Sequence, residues 1–337
     1  MHYYFYLSFI LISLSIIYIS RKYSFFLDKK TEVHKKILNP NKNFFLGGII
    51  FFLYISYFLI INNKLIFLLF LLLIFLLGLL SDLKLIDDPK KRFIFQIFII
   101  FLFVTILDIK ILSTRLDLVD LYLQNQYVNY FFVVFCLMVF INGSNFIDGL
   151  NTILITYIIL ILIIFLIFFN NSIPIINNFY ELIFILSFIF ILNFFGIIIL
   201  GDSGAYLISI YLGIYLIDFA NQNYMISPYF IVLLLWYPCF ELLFSMIRRV
   251  TSNSKTYNPD TNHLHQLLYL KIFKLDKLDF RVNHFLVSVI INLYNFGSFY
   301  LGSNFFNDSR ILILITLFNV TVYIFVYSFL IKKNNKI

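Results

Sequence analysis

The sequence predicts an all-α fold, a polytopic bundle of membrane-spanning helices. Three observations carry that expectation. Of 337 residues, 62% are hydrophobic and 21% aromatic; only 12% are charged; and the apolar residues fall into runs able to cross ~30 Å of hydrocarbon at ~1.5 Å per residue. Soluble globular domains do not have this composition. With few prolines and glycines and no internal repeat, residues 1–337 read as a single integral membrane domain.

The first run, 3–20, has no basic residue before it and Arg21-Lys22 after it. That order is the reverse of a signal peptide's, so an uncleaved span with an outside N-terminus is expected. Runs at 44–61 and 65–80 follow, the latter short and closed by Ser81-Asp82. The fourth, 93–109, is entered through Asp88-Pro89, an N-cap followed by proline at the first helical position, where its missing N–H costs nothing. Next come 128–141, also short, then 152–170 and 179–200. Only Gly201-Asp202-Ser203-Gly204 separates 179–200 from 205–219, and 228–247, 284–301 and 310–331 complete the set. About eleven transmembrane helices result, with a cytoplasmic C-terminus.

Lys and Arg orient such a bundle. Taking alternate connections, the segments 21–43, 81–92, 142–151, 201–204, 248–283 and 332–337 hold 21 of the 25 basic residues, which leaves Lys64, Lys110, Arg115 and Arg310 for the other side. The basic side is therefore expected in the cytoplasm. The net charge of +8 is a topology signal, and with no separate basic domain nucleic acid is not an expected partner. Basic residues of 21–43 suit anionic headgroups or phosphorylated ligands. Cys136 and Cys239 lie inside spans without metal-ligand spacing and read as packing residues.

The charge count used no motif, yet it gathers every polar island on one face. Carboxylates inside apolar spans cost at least ~2.5 kcal/mol and need partners, water or a bound ion. In Asn142-Gly-Ser-Asn145-Phe-Ile-Asp148-Gly149-Leu-Asn151 the amides and the carboxylate recur every three residues, so a helical turn presents them together. Capping accounts for one or two of these residues, but not for all of them. Gly201-Asp202-Ser203-Gly204 joins two spans almost without a loop; Asp202 and Ser203 can cap, and the glycines permit a phosphate to approach a helix N-terminus. Combined with the Asn/Asp island, this string points to a hard-metal site, since such oxygens suit Mg²⁺ or Mn²⁺. Asp82 at the end of the third run is expected to be a free, working acid, whereas the neighbouring Asp87-Asp88 pair is expected to cap. His263 and His265 follow Pro259-Asp260 in the longest connection, where imidazoles suit phosphate contact or proton movement better than zinc.

These strings together resemble the polyprenyl-phosphate N-acetylhexosamine-1-phosphate transferase family. The resemblance rests on Gly47-Gly48, Asp82 with Arg92 and Gln96 downstream, the Asn142–Asn151 string, Gly201–Ala205 and the His-x-His pair, and it spans nearly the whole chain. The His-x-His form is closer to O-antigen and teichoic-acid initiators than to the pentapeptide translocase of the same family. It implies transfer of phospho-N-acetylhexosamine from a UDP-sugar to undecaprenyl phosphate, releasing UMP, with Mg²⁺ as cofactor. In a bacterial inner membrane, the active site would face the cytoplasm through loops near 21–48, 81–92, 142–151, 197–204 and 248–283. By the same resemblance Asp202 and Asn145 would ligate the metal, and Asp148 would hold the nucleotide. His263 and His265 would contact the phosphates, and Asp82 would orient or deprotonate the lipid phosphate. Asn142, Asn145, Asn151, Ser203, Gly204, Arg249 and Lys84 would line the substrate site. The expected partners are the lipid, the nucleotide sugar and a second copy of the chain.

Four positions depart from the family pattern. Ser81 stands where relatives carry the first of two acids, which disfavours a covalent enzyme intermediate and favours direct attack by the lipid phosphate. Ile199 and Ile197 replace a common aromatic and a common basic residue, and Gln266 replaces a third histidine. The competing class is a transporter or flippase. It predicts ionisable groups near the bilayer midplane and on both faces of the path, whereas these islands share one face and Glu241 is the clearest acid inside a span.

Overall fold

The computed structural model describes residues 2–27, 44–169, 177–251, 262–275 and 279–334. Expectations for 28–43 and for Pro259-Asp260 lie outside the described residues. Among the described residues thirteen helices occur, beginning with α1 (His2–Tyr23), α2 (Gly47–Ile61), α3 (Leu65–Asp82), α4 (Pro89–Ile106), α5 (Asp117–Leu123), α6 (Gln126–Ile147) and α7 (Ile153–Phe169). Then come α8 (Asn177–Phe194), α9 (Gly201–Gln222), α10 (Pro228–Thr251), α11 (Leu264–Leu275), α12 (Phe280–Ser303) and α13 (Ser309–Asn334). Each of the eleven apolar runs is a helix; the short α5 and α11 are additional. Six helices, α3, α6, α9, α10, α12 and α13, are long and apolar enough to cross a membrane, and Gly47–Ile61, Ile153–Phe169 and Phe179–Phe194 are apolar but shorter.

Several boundaries differ: α6 continues past 141 to Ile147, so Asn142 and Asn145 are helical, and α9 begins at Gly201 instead of 205. The run expected to continue to 200 stops at Phe194, because Gly196 takes a positive φ of 65° and the chain turns. Residues 195–197 form the turn, and Ile199 then bridges Phe45, with Ile199 N–H on Phe44 O and Gly47 N–H on Ile199 O. Buried Asn193 holds this turn by accepting from Thr152 N–H and donating to Ile198 O. The break before α9 is thus a built support rather than a bare four-residue turn.

Close helix approach around α9 follows from missing side chains. A Cβ on Gly78 of α3 would strike Ser203 Cα, and one on Gly48 of α2 would strike Ser203 and Gly204. The N-terminus of α9 is therefore clamped between α2 and α3. Likewise Gly143 of α6 lies against the Pro238 carbonyl of α10. Buried amides bind α12 into the bundle. Trp236 Nε1 donates to Asn295 Oδ1 at 2.8 Å, and Asn292 Nδ2 donates to Ile153 O; such polar contacts tie helices where lipid offers no hydrophobic drive.

The helix ends sort onto two faces. At one, Arg115 donates to the Asn307, Tyr224 and Met225 carbonyls, and Asn221 reaches Lys110 O, so connections 107–125, 223–227 and 304–308 converge. The polar islands meet at the other.

Candidate active site

The centre of that second face is the N-terminus of α9. Its first N–H groups have no partner inside the helix, and two carboxylates from other helices supply them. Asp148, just past the end of α6, accepts from Gly201 N–H. Asp82, the last residue of α3, accepts from Asp202 N–H at 2.8 Å through Oδ1, and from Ser203 N–H at 3.0 Å and Ser203 Oγ at 2.7 Å through Oδ2. The expectation that Asp82 is a free acid is thereby corrected: both of its oxygens cap α9. Local geometry adds the reason for Gly201, whose φ is 73° and whose Cβ would collide with the Asp82 carboxylate.

Asp202 itself points elsewhere. Its Oδ2 pairs with Arg92 Nη1 at 2.7 Å and accepts from Ser81 Oγ, which in turn accepts from Arg92. Ser81, in place of an acid, thus joins the cation and the carboxylate. Asn145 Nδ2 donates to Tyr206 OH at 3.4 Å, and Tyr206 OH contacts Asp202 Oδ2 at 3.5 Å. The two expected metal ligands therefore meet across one phenol. Tyr206 lies one turn after Asp202 on α9, and that i+4 spacing is the only signal by which the sequence could have indicated it.

Three acids, Asp82, Asp148 and Asp202, lie within electrostatic reach of one another. Burial first, then the charges of Asp202 and Asp82, push the Asp148 carboxyl well above its usual range, opposed only by the Gly201 N–H. A second cation near this cluster is electrostatically favoured. Among the described residues no group of three His, Cys, Asp or Glu side chains is arranged to hold a metal. The oxygens of Asp202 and Asn145 nevertheless fit Mg²⁺, which is usually held by one or two carboxylates together with substrate phosphates and water.

The His-x-His segment docks beside this cluster. His263 meets Phe146 edge-on at 5.1 Å between centroids, and Arg249 covers the same ring at 5.5 Å. His263 and His265 stack with rings 9° from parallel. Their environments differ. His265 is fully buried, its two ring nitrogens have no hydrogen-bond partner among the described residues, and burial depresses its pKa to about 3. It packs at Gly149, where a Cβ would press on its Nε2.

Other expected positions are also redistributed. Asn142 donates back to Met138 O in its own helix. Asn151 is buried, donating from Nδ2 to Asn193 O and from its backbone to His284 Nδ1, so it braces the α6–α7 turn against α8 and α12 rather than lining the site. The space beside Gly204 is filled by Leu200 and the α2 backbone, which makes it a packing glycine and not an opening for phosphate. Ser203 hydroxyl serves Asp82. Lys84 follows α3 in a left-handed turn with φ 58°. Asp88 caps α4 as expected, accepting from Lys90 N–H at 2.9 Å with Pro89 next.

This arrangement, acids and a guanidinium around a helix N-terminus with amide, phenol and imidazole groups alongside, coincides with what a family comparison finds: the model for glycosyl transferase family 4 matches residues 64–220. Residues 64–220, a little under half of the chain, are thus similar to glycosyl transferase family 4. This is the family of polyprenyl-phosphate sugar-1-phosphate transferases. The match contains Asp82, Arg92, Asn145, Asp148, Asp202 and Tyr206, and stops before Glu241 and His263. That similarity supports a sugar-1-phosphate transferase kind of activity on a polyprenyl-phosphate lipid and a nucleotide sugar, in a multi-pass membrane protein. A comparison with curated proteins gives no match.

Proposed function

We propose that the protein transfers phospho-N-acetylhexosamine from a UDP-sugar to undecaprenyl phosphate at the cytoplasmic face of a bacterial inner membrane, as the initiating step of a cell-surface glycan. A lipid phosphate oxygen attacks the sugar-bearing phosphorus, a P–O bond forms there, and the P–O bond to UMP breaks. The single observation supporting this most is the Arg92–Asp202 pair, set beside Asn145 and Tyr206 at the end of an apolar bundle. Phosphoryl transfer requires chiefly charge compensation and in-line positioning.

Asp202 and Asn145 would hold Mg²⁺, which supplies charge neutralisation at the diphosphate. Arg92, beside Asp202 at the mouth of the cluster, would compensate phosphate charge. Asp82 and Asp148 keep α9 in register, so that Asp202 and Tyr206 are presented at fixed depth. His263 and Arg249, both against Phe146, would contact the donor phosphates. With Ser81 in place of an acid, direct attack by the lipid phosphate needs no covalent enzyme intermediate. The polybasic connections support the cytoplasmic orientation.

The test is an assay of purified protein with undecaprenyl phosphate, Mg²⁺ and a panel of UDP-N-acetylhexosamines, following UMP and the lipid diphosphate product together. Product with one sugar supports both reaction and donor. No product with any sugar, from folded protein, overturns the reading.

A further inference from the structure

Glu241 is fully buried in α10, three residues after Pro238 and beyond the family-matched segment. Nothing in the proposed reaction uses it so far. A carboxylate in such surroundings is costly unless its oxygens are bonded. Both are. Oε2 accepts from Tyr323 OH of α13 at 2.8 Å, and Oε1 faces His263 Nδ1 at 2.9 Å, with Ser245 Oγ one turn along α10 at 3.4 Å. Ser245 also lies 3.3 Å from the same ring nitrogen.

A carboxylate only accepts hydrogen bonds, so the Nδ1 that faces it carries the proton. This fixes the tautomer of His263 and, with the stacked His265 and the edge of Phe146, its ring plane. A histidine oriented through Nδ1 by a buried acid turns Nε2 away from that acid, as in carboxylate–histidine pairs that tune a working imidazole. We infer that Glu241, anchored by Tyr323, is the positioning residue of His263, so that the last helix of the chain sets the geometry of the phosphate-contacting imidazole. The inference rests on the proposed transferase reading for what His263 does, and on geometry alone for what Glu241 does to it.

Two measurements on the full-length protein separate these. In the transferase assay, Glu241→Leu is expected to lower kcat at least tenfold with KM for the UDP-sugar within about twofold. Glu241→Gln keeps an oxygen acceptor for Nδ1 and is expected to return kcat to within about fivefold of wild type. In a His263→Ala background, Glu241→Leu is expected to cost nothing further. An Nδ1-independent role is shown, and the proposal overturned, if the two losses multiply in full or if Gln is no better than Leu. Separately, C2 hydrogen–deuterium exchange of His263, read by tandem mass spectrometry without substrate at one pH, is expected to change in Glu241→Leu. An unchanged exchange rate overturns the pairing even if the enzyme is impaired. A changed rate in a protein whose wild type transfers no sugar phosphate upholds the pairing and overturns the reaction instead.

Discussion

Arg92 Nη1 lies 2.7 Å from Asp202 Oδ2, joining the first turn of α4 to the first turn of α9 across 110 residues of sequence. Both side chains are about a quarter exposed, at 24% and 22%, so the pair sits at the mouth of the acidic cluster and not beneath it. A partner at that depth can be exchanged. Asp202→Asn is expected to lower Mg²⁺-dependent UMP release at least ~100-fold, the usual scale for removing one transition-state electrostatic contact. Membrane expression should be unaffected. Near-normal turnover would remove Asp202 from the metal assignment.

The two acids flanking the α3–α4 turn should respond differently. Asp88→Ala removes one N-cap, with an expected loss of ~1 kcal/mol of stability and little effect on turnover. Asp82→Asn keeps the size but replaces one of two accepting oxygens by a donor aimed at α9 N–H groups. Thermal stability and transferase rate should therefore fall together. Measuring melting temperature and initial rate for both variants decides it; a dead Asp88→Ala beside an active Asp82→Asn would reverse the assignment.

Gly78 tests the clamp around α9 without touching a polar group. Its Cβ would meet the Ser203 backbone, which cannot rotate aside. Gly78→Ala is expected to destabilise by ~1–3 kcal/mol, as overpacking of close-packed interiors does, and to lower activity through the displaced Asp82–Ser203 bonds. A melting temperature equal to that of wild type would show that α3 and α9 are further apart than described.

His265 makes an acid-side prediction. Its folded pKa of about 3 lies below the ordinary value of 6.5, chiefly through burial, with the charges of His263 and His284 adding to this and that of Glu241 opposing it. A depressed folded pKa gives stability that is complete above the unfolded value. It is lost as the pH falls from about 6.5 toward about 3, because only the unfolded chain then takes up the proton. Melting temperature should decline between pH 7 and pH 5, and His265→Gln should flatten that decline. An identical pH slope in the variant would show that His265 is not the buried neutral group.

Much of this protein was legible in its sequence, because hydrocarbon imposes simple rules on composition. The apolar runs located eleven of the thirteen described helices, six of them long and apolar enough to cross a membrane; Asp88-Pro89 marked the start of α4, and alternation of helix ends grouped the islands at one face. Asn145 and Asp202, which the structure brings together at Tyr206, stood out too, since amide and carboxylate side chains contrast with Phe, Ile and Leu. What those polar groups are bonded to was not legible. Asp82 looked like a free acid until α9 supplied three donors to it, His265 looked equivalent to His263 until the Glu241 contact of His263 separated them, and Asn142 and Asn151 turned out to bond backbone. Tyr206, Ser81 and the Glu241–Tyr323 anchor of His263 had even less signal, because their partners lie 4 to 121 residues away. The sequence by itself determined the class of fold, the helices and the chemical inventory, all properties of local pattern. Only the tertiary structure decided which carboxylate caps a helix and which faces a cation, because hydrogen-bond partnership depends on distances between helices that no local pattern contains.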